Sequence, residues 1–197
     1  MNRPRVSCII FGMKKLFATI LVLPFVTAAY GAPNPMFGPG HDNSVSLYVG
    51  QGTGPGSLFK LITPPMWDIS PMTMIMAQYS QPMTVFRLPA RQNLNFIQNT
   101  GYESAHGLSF IGTGISWDVA PLQWRGYYIG AGLGPYYRDS HDRYVESRLV
   151  FGEKFFIGKN INEHWRVEFY TLHFSNGDFT DMNKGFNFTG LAVNYSF

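Results

Sequence analysis

Along most of this chain apolar residues recur at every second position, in stretches of about ten residues separated by Pro, Asn, Asp and Gly. That period belongs to strands with one greasy face, and amphipathic helical periodicity is scarce. Eight strands are predicted, at 44–51, 72–80, 92–100, 108–117, 127–137, 147–158, 164–175 and 185–197. The seventh is the clearest: Trp165, Val167, Phe169 and Thr171 share a face with His173 and Ser175, opposite Arg166, Glu168 and Tyr170. In the eighth, Leu191, Val193, Tyr195 and Phe197 alternate, and the same parity runs back through Thr189 to Asn187. In the sixth, Leu149, Phe151, Phe155 and Ile157 oppose Arg148, Gly152 and Lys154, and Glu153 breaks the pattern. The second and third are less regular, with Gln81-Pro82 and Pro89-Ala90-Arg91 as interruptions.

An even number of strands brings both ends of a barrel to one side, and the polarity of the faces decides which barrel. A soluble lipocalin-like barrel turns its apolar residues inward around a ligand. Here the face opposite the apolar one carries Arg166, Glu168, Arg148 and Lys154, which suits a polar lumen filled by mutual pairing. The expected fold is therefore all-β, an eight-stranded antiparallel transmembrane β-barrel of the outer membrane. Eight strands leave room inside for side chains only, so a pore is not expected. A final strand ending on Tyr195 and Phe197 resembles the signal read by the outer-membrane assembly machinery, an expected partner.

The first 31 residues read as an address. Lys14-Lys15 precede an apolar core from Leu16 to Val26, and Ala29-Tyr30-Gly31 places small residues where a signal peptidase cuts. A signal peptide over 1–31 is expected, with Met13 as the true start, followed by a single barrel domain over 32–197. The apolar core is about half the roughly 20 residues a spanning helix needs. Removing it changes the charge: Arg3, Arg5, Lys14 and Lys15 leave with no acid, so 15 basic and 12 acidic residues become 11 and 12 and the net charge falls from +3 to −1. No basic patch remains to support nucleic-acid binding. Cys8 leaves as well, so the mature chain has no cysteine, and a closed hydrogen-bonded barrel supplies cohesion without disulfides.

Candidate chemistry gathers at the end of the chain. His173 and Ser175 stand about 7 Å apart along one strand face, within reach if the side chains lean together. Polar groups at a lipid-facing strand end need partners, and Asn176, Asn183 and Asn187 are close by. The ordinary alternative is a histidine capping a strand at the membrane interface. His41, His106, His141 and His164 show no metal-ligand spacing, and neither metal nor cofactor is expected.

At these positions the chain resembles the PagL-type lipid A deacylases of the outer membrane. The resemblance rests on His173-Phe174-Ser175-Asn176-Gly177 and Asn183-Lys184-Gly185-Phe186-Asn187, with weaker likeness at Gln78-Tyr79-Ser80 and Arg91-Gln92-Asn93-Leu94. It implies an esterase that hydrolyses the 3-O-linked acyl chain of lipid A by serine catalysis on the outer wall of the barrel. Ser175 would then be the nucleophile and His173 its base, with Asn176 and Asn183 at the oxyanion and lipopolysaccharide as the partner. The family's pattern places a glutamate where this chain has Asn187. An amide can orient the imidazole but cannot offset the imidazolium charge, so the reaction is expected to be slow unless Asp178 or Asp181 folds back. Asp178 is a second departure, where a small residue is expected. The alternative reading is a catalytically silent lipid-binding or structural barrel; an adhesin is disfavoured by outer loops that are short apart from 52–71. Trp165, Val167 and Phe169 below the site suit either an acyl groove or ordinary lipid contact. Arg138-Asp139-Ser140-His141-Asp142-Arg143 reads as a solvated outer loop whose arginines could pair with lipopolysaccharide phosphates. A homodimer is left open.

Overall fold

A computed structural model describes residues 43–57, 60, 63–101, 109–142 and 144–197. The segment read as a signal peptide, together with His41, His106 and Arg143, lies outside the described residues. Eight strands close into one antiparallel barrel in chain order: β1 (Ser44–Pro55), β2 (Ser70–Val85), β3 (Leu88–Gly101), β4 (Phe110–Trp124), β5 (Tyr127–Arg138), β6 (Leu149–Asn160), β7 (Trp165–Ser175) and β8 (Phe186–Ser196). β1 pairs with β8 to shut the sheet, so no edge strand is left.

Several strands run further than their patterning predicts. β2 and β3 continue through Gln81-Pro82 and Pro89-Ala90-Arg91, pairing down to Val85 with Leu88. The two residues between them, Phe86 and Arg87, adopt positive φ of 49° and 66°, the geometry that a tight hairpin requires. Neither is Gly, Asn or Asp, so the usual hairpin signal is missing from the sequence. Arg125 and Gly126 close β4 and β5 in the same way, with φ of 49° and 81°. These short turns lie at the same end as both barrel termini, where Phe197 N–H donates to the Asn43 carbonyl at 3.0 Å. The longer connections occupy the other end, which in outer-membrane barrels faces the exterior.

Inside, the lumen is packed with a buried ionic network. Arg91 Nε donates to Asp118 at 2.7 Å and its Nη1 to Glu168 at 2.8 Å, while Lys154 Nζ lies 2.7 Å from Asp118. The hydroxyls of Tyr48 and Tyr128 donate to Glu168 at 2.9 and 2.8 Å. Burying these charges is costly in isolation, and pairing them with one another is what makes the lumen tolerable. Towards the exterior, Phe110, Tyr136, Phe174, Phe186 and Phe188 plug the barrel through a run of ring contacts.

Two expectations about arginines are corrected. Arg148 precedes β6 and is exposed, so it does not fill the lumen. Arg138 is the last residue of β5 and is buried, paired with Asp142 and stacked over Phe110 and Phe186, so it is not part of a solvated loop. On the outside, Val45, Leu47, Ile75, Phe96, Ile129, Ile157, Val167 and Leu191 are exposed, an apolar belt around the barrel. Among the described residues no helix is long and apolar enough to cross a membrane; this chain crosses with strands.

Candidate active site

β7 carries the candidate chemistry because its outward face changes character as it rises. Trp165, Val167 and Phe169 are exposed as the alternation predicts, whereas Thr171 and His173 on the same face are buried. The cover comes from the neighbouring elements at the outer end. Gly185, in the turn after β7, sits so close that an added Cβ would lie 2.3 Å from Cε1 and 3.0 Å from Nε2 of His173, and 3.1 Å from the Gly56 carbonyl oxygen. Its φ of +65° is a conformation that side-chain-bearing residues rarely adopt. Glycine is therefore required there twice over, by conformation and by space.

His173 and Asn187 are direct cross-strand partners between β7 and β8, with His173 Nδ1 2.7 Å from Asn187 Oδ1. Both side chains are buried, and Asn187 Nδ2 has no hydrogen-bond partner among the described residues. With Oδ1 as acceptor the ring carries its proton on Nδ1, which leaves Nε2 as the basic nitrogen. One step down the same face Thr171 opposes Thr189, and both hydroxyls are buried without partners among the described residues. The outward wall is thus polar at this height and apolar below it.

Ser175 ends β7 on the same face, half-buried and opposite Phe151 of β6. No hydrogen bond joins its hydroxyl to His173 among the described residues. In hydrolases, hydrogen bonds between a nucleophile and its base are often long without substrate and tighten only when it is bound.

The turn after β7 is built by its own amides. Asn176 is fully buried; its N–H donates to Asn183 Oδ1 at 2.9 Å, and its Nδ2 donates to the Met182 carbonyl at 3.2 Å and to Thr180. Asn176 Oδ1 accepts the Asp178 N–H at 3.0 Å. Asn183 Nδ2 donates to Asp178 Oδ1 at 2.8 Å, and its second hydrogen meets no acceptor among the described residues. The donors of Asn176 are thus spent on holding the turn, while Asn183 keeps one to offer. Asp178 is exposed and turned onto Asn183, and Asp181 is exposed, so the Nδ1 side of His173 is taken by Asn187 alone.

Sequence reasoning passed over one residue in this row. Glu153, the break in the apolar pattern of β6, is the direct cross-strand partner of His173 on the side opposite Asn187. Among the described residues there is no cluster of three metal-ligating side chains. A shallow apolar depression between Leu122, Trp124, Tyr127, Ile129 and Ile157 lies at the other end of the barrel and belongs to the membrane belt.

A closed eight-stranded antiparallel barrel with an apolar outer belt and side chains filling its lumen has the architecture of the small outer-membrane barrels. A profile of the lipid A 3-O-deacylase (PagL) family matches residues 73–196. The chain belongs to that family, and its place is the outer membrane. Among solved structures it is similar to one described as the crystal structure of the outer membrane enzyme PagL, with 13% sequence identity, a TM-score of 0.53, and coverage of 77% of this chain and 97% of that one. At this identity the likeness speaks for the barrel fold. A search of curated proteins gives no match.

Proposed function

We propose that this lipid A deacylase works by serine catalysis at His173 and Ser175, on the wall of the barrel that faces the outer leaflet. The observation that carries the reading is the His173 Nδ1 to Asn187 Oδ1 contact at 2.7 Å, set on the outward face at the exterior end. With Oδ1 accepting, the proton sits on Nδ1 and Nε2 is left as the basic nitrogen, and Ser175 follows two residues along the same strand face.

In this reading lipid A moves laterally to the site with its acyl chains still in hydrocarbon, so little desolvation opposes binding. Ser175 Oγ attacks the carbonyl carbon of the 3-O-linked ester while His173 Nε2 takes the hydroxyl proton. The tetrahedral oxyanion collapses, breaking the bond to the sugar oxygen, and the imidazolium returns the proton to that oxygen. Water, deprotonated by the same nitrogen, then attacks the acyl-serine and releases the fatty acid. Asn183 donates its free Nδ2 hydrogen to the oxyanion, a contribution of about 2.7–4 kcal/mol for one such donor. Asn176 holds the turn that presents it. No metal or cofactor enters the scheme, and no second copy of the chain is needed. The aromatic end of β8 supports recognition by the outer-membrane assembly machinery.

The test is covalent. A fluorophosphonate should label the refolded protein on the peptide containing Ser175, and His173→Gln should abolish labelling while the barrel still folds. Labelling elsewhere, or equal labelling of the His173→Gln protein, would sink the serine mechanism and favour the silent barrel that Asn187 otherwise suggests.

A further inference from the structure

A neutral amide beside the imidazole leaves the mechanism with an electrostatic gap, and the barrel wall offers a carboxylate on the other flank. We propose that Glu153 supplies the negative charge to His173 that Asn187 cannot, making it a positioning residue for the proposed reaction. This rests on the serine mechanism above.

The placement comes from register. Glu153 pairs with His173 across β6 and β7, and Asn187 pairs with His173 across β7 and β8, so the three stand in one row. Directly opposed side chains have Cβ atoms about 4.5–5.5 Å apart, within reach of a carboxylate and a ring. On its other side Glu153 faces Leu133 of β5, and its outward neighbours along β6 are Phe151 and Phe155. Among the described residues Glu153 is the one carboxylate at an outward strand position. It makes no salt bridge or hydrogen bond with the described residues.

A carboxylate on a lipid-facing wall is costly and calls for a partner. Around Glu153 the surface is apolar except for Thr171, His173 and Ser175, so the imidazolium formed during catalysis is the natural counter-charge. The other charged groups on elements packed about His173 are engaged elsewhere or remote from the ring. Lys60 Nζ donates to the Pro55 carbonyl at 3.1 Å, and Asp178 accepts from Asn183. Asp68 and Lys184 make no hydrogen bond to the ring, and Lys154 points into the lumen toward Asp118. The arrangement divides the role of a single acid: Asn187 orients the ring from one strand and Glu153 balances its charge from the other.

Two measurements separate this idea from the reaction it serves. In Ser175→Ala protein, the ring nitrogens of His173, assigned by their loss in His173→Gln, are titrated by NMR with and without Glu153→Gln. Loss of the carboxylate should move the midpoint to lower pH by about one unit, a tenfold change in proton affinity. An unchanged midpoint overturns the proposal whether or not lipid A is hydrolysed. In otherwise wild-type protein, Glu153→Gln should lower kcat about ten- to a hundredfold with KM little changed, shift the acidic limb of the pH profile downward, and leave Glu153→Asp close to wild type. Adding Asn187→Glu to Glu153→Gln should restore the rate. A Glu153→Gln enzyme with wild-type kcat and pH profile also overturns it. Absence of deacylation in every protein, with the NMR shift present, would instead fault the serine reading and leave the pairing intact.

Discussion

Replacing Gly185 with alanine is a sharp perturbation of the site, because the geometry specifies both its direction and its size. The new Cβ would lie 2.3 Å from His173 Cε1, where ordinary contact begins at 3.4 Å. Ring or turn must therefore retreat by about 1 Å. Backbone cannot absorb this freely, since the Gly56 carbonyl oxygen stands 3.1 Å from the same Cβ, and a φ of +65° adds roughly 1–2 kcal/mol for a residue with a side chain. A displacement of that order at a base typically costs about a hundredfold in rate. The expected result is a barrel that folds, shown by its faster migration on electrophoresis before boiling, with kcat/KM down about a hundredfold. Gly185→Ser should be no better. Activity within threefold of wild type, in a folded Gly185→Ala protein, would refute the placement of His173 as the base.

Two further perturbations separate the site from the scaffold. Asn187→Glu should raise kcat severalfold in wild-type protein, and by a larger factor when Glu153 is already glutamine; a fall in rate in both backgrounds would mean that Asn187 is tuned as an amide. Glu168→Ala should leave Arg91 without its bidentate partner in the lumen and lower the unfolding free energy in urea by about 3–5 kcal/mol, with little change in kcat below the transition. Equal stability would mean that the ionic lumen is not what holds the wall in place.

Much of this protein could be read from alternation alone, since a one-residue slip would exchange its lipid and lumen faces. Trp165 to Phe169 and Leu191 to Tyr195 announce their outward side directly, and with it the outward placement of His173 and Asn187. The lumenal roles of Arg166, Glu168 and Lys154 follow from the same parity. Strand ends were less legible. Phe86 and Arg87 turn a hairpin without the residues that usually mark one, and Arg148 falls one residue before β6 because chain parity continues past the end of pairing. Arg138 reads as a loop residue from its polar neighbours, but Asp142 and the Phe110 and Phe186 rings draw it inside. Within the site, sequence spacing brings His173, Ser175 and Asn187 together because two adjacent antiparallel strands carry them. It says nothing of β6, whose register against β7 is set by the closed sheet. Glu153 left a trace only as a polar residue in an apolar series, and its meaning appears once its neighbour is known. The commitment of Asn176 to the turn was equally hidden, because side-chain hydrogen bonds within a loop have no sequence period.

The most direct test of the central claim is mass spectrometry of purified lipid A incubated with the refolded protein in detergent, beside Ser175→Ala. The account predicts that wild-type protein alone removes one acyl chain from the 3-position and releases the corresponding free fatty acid. Lipid A left intact by wild-type protein after long incubation, or the same loss with Ser175→Ala, would contradict it.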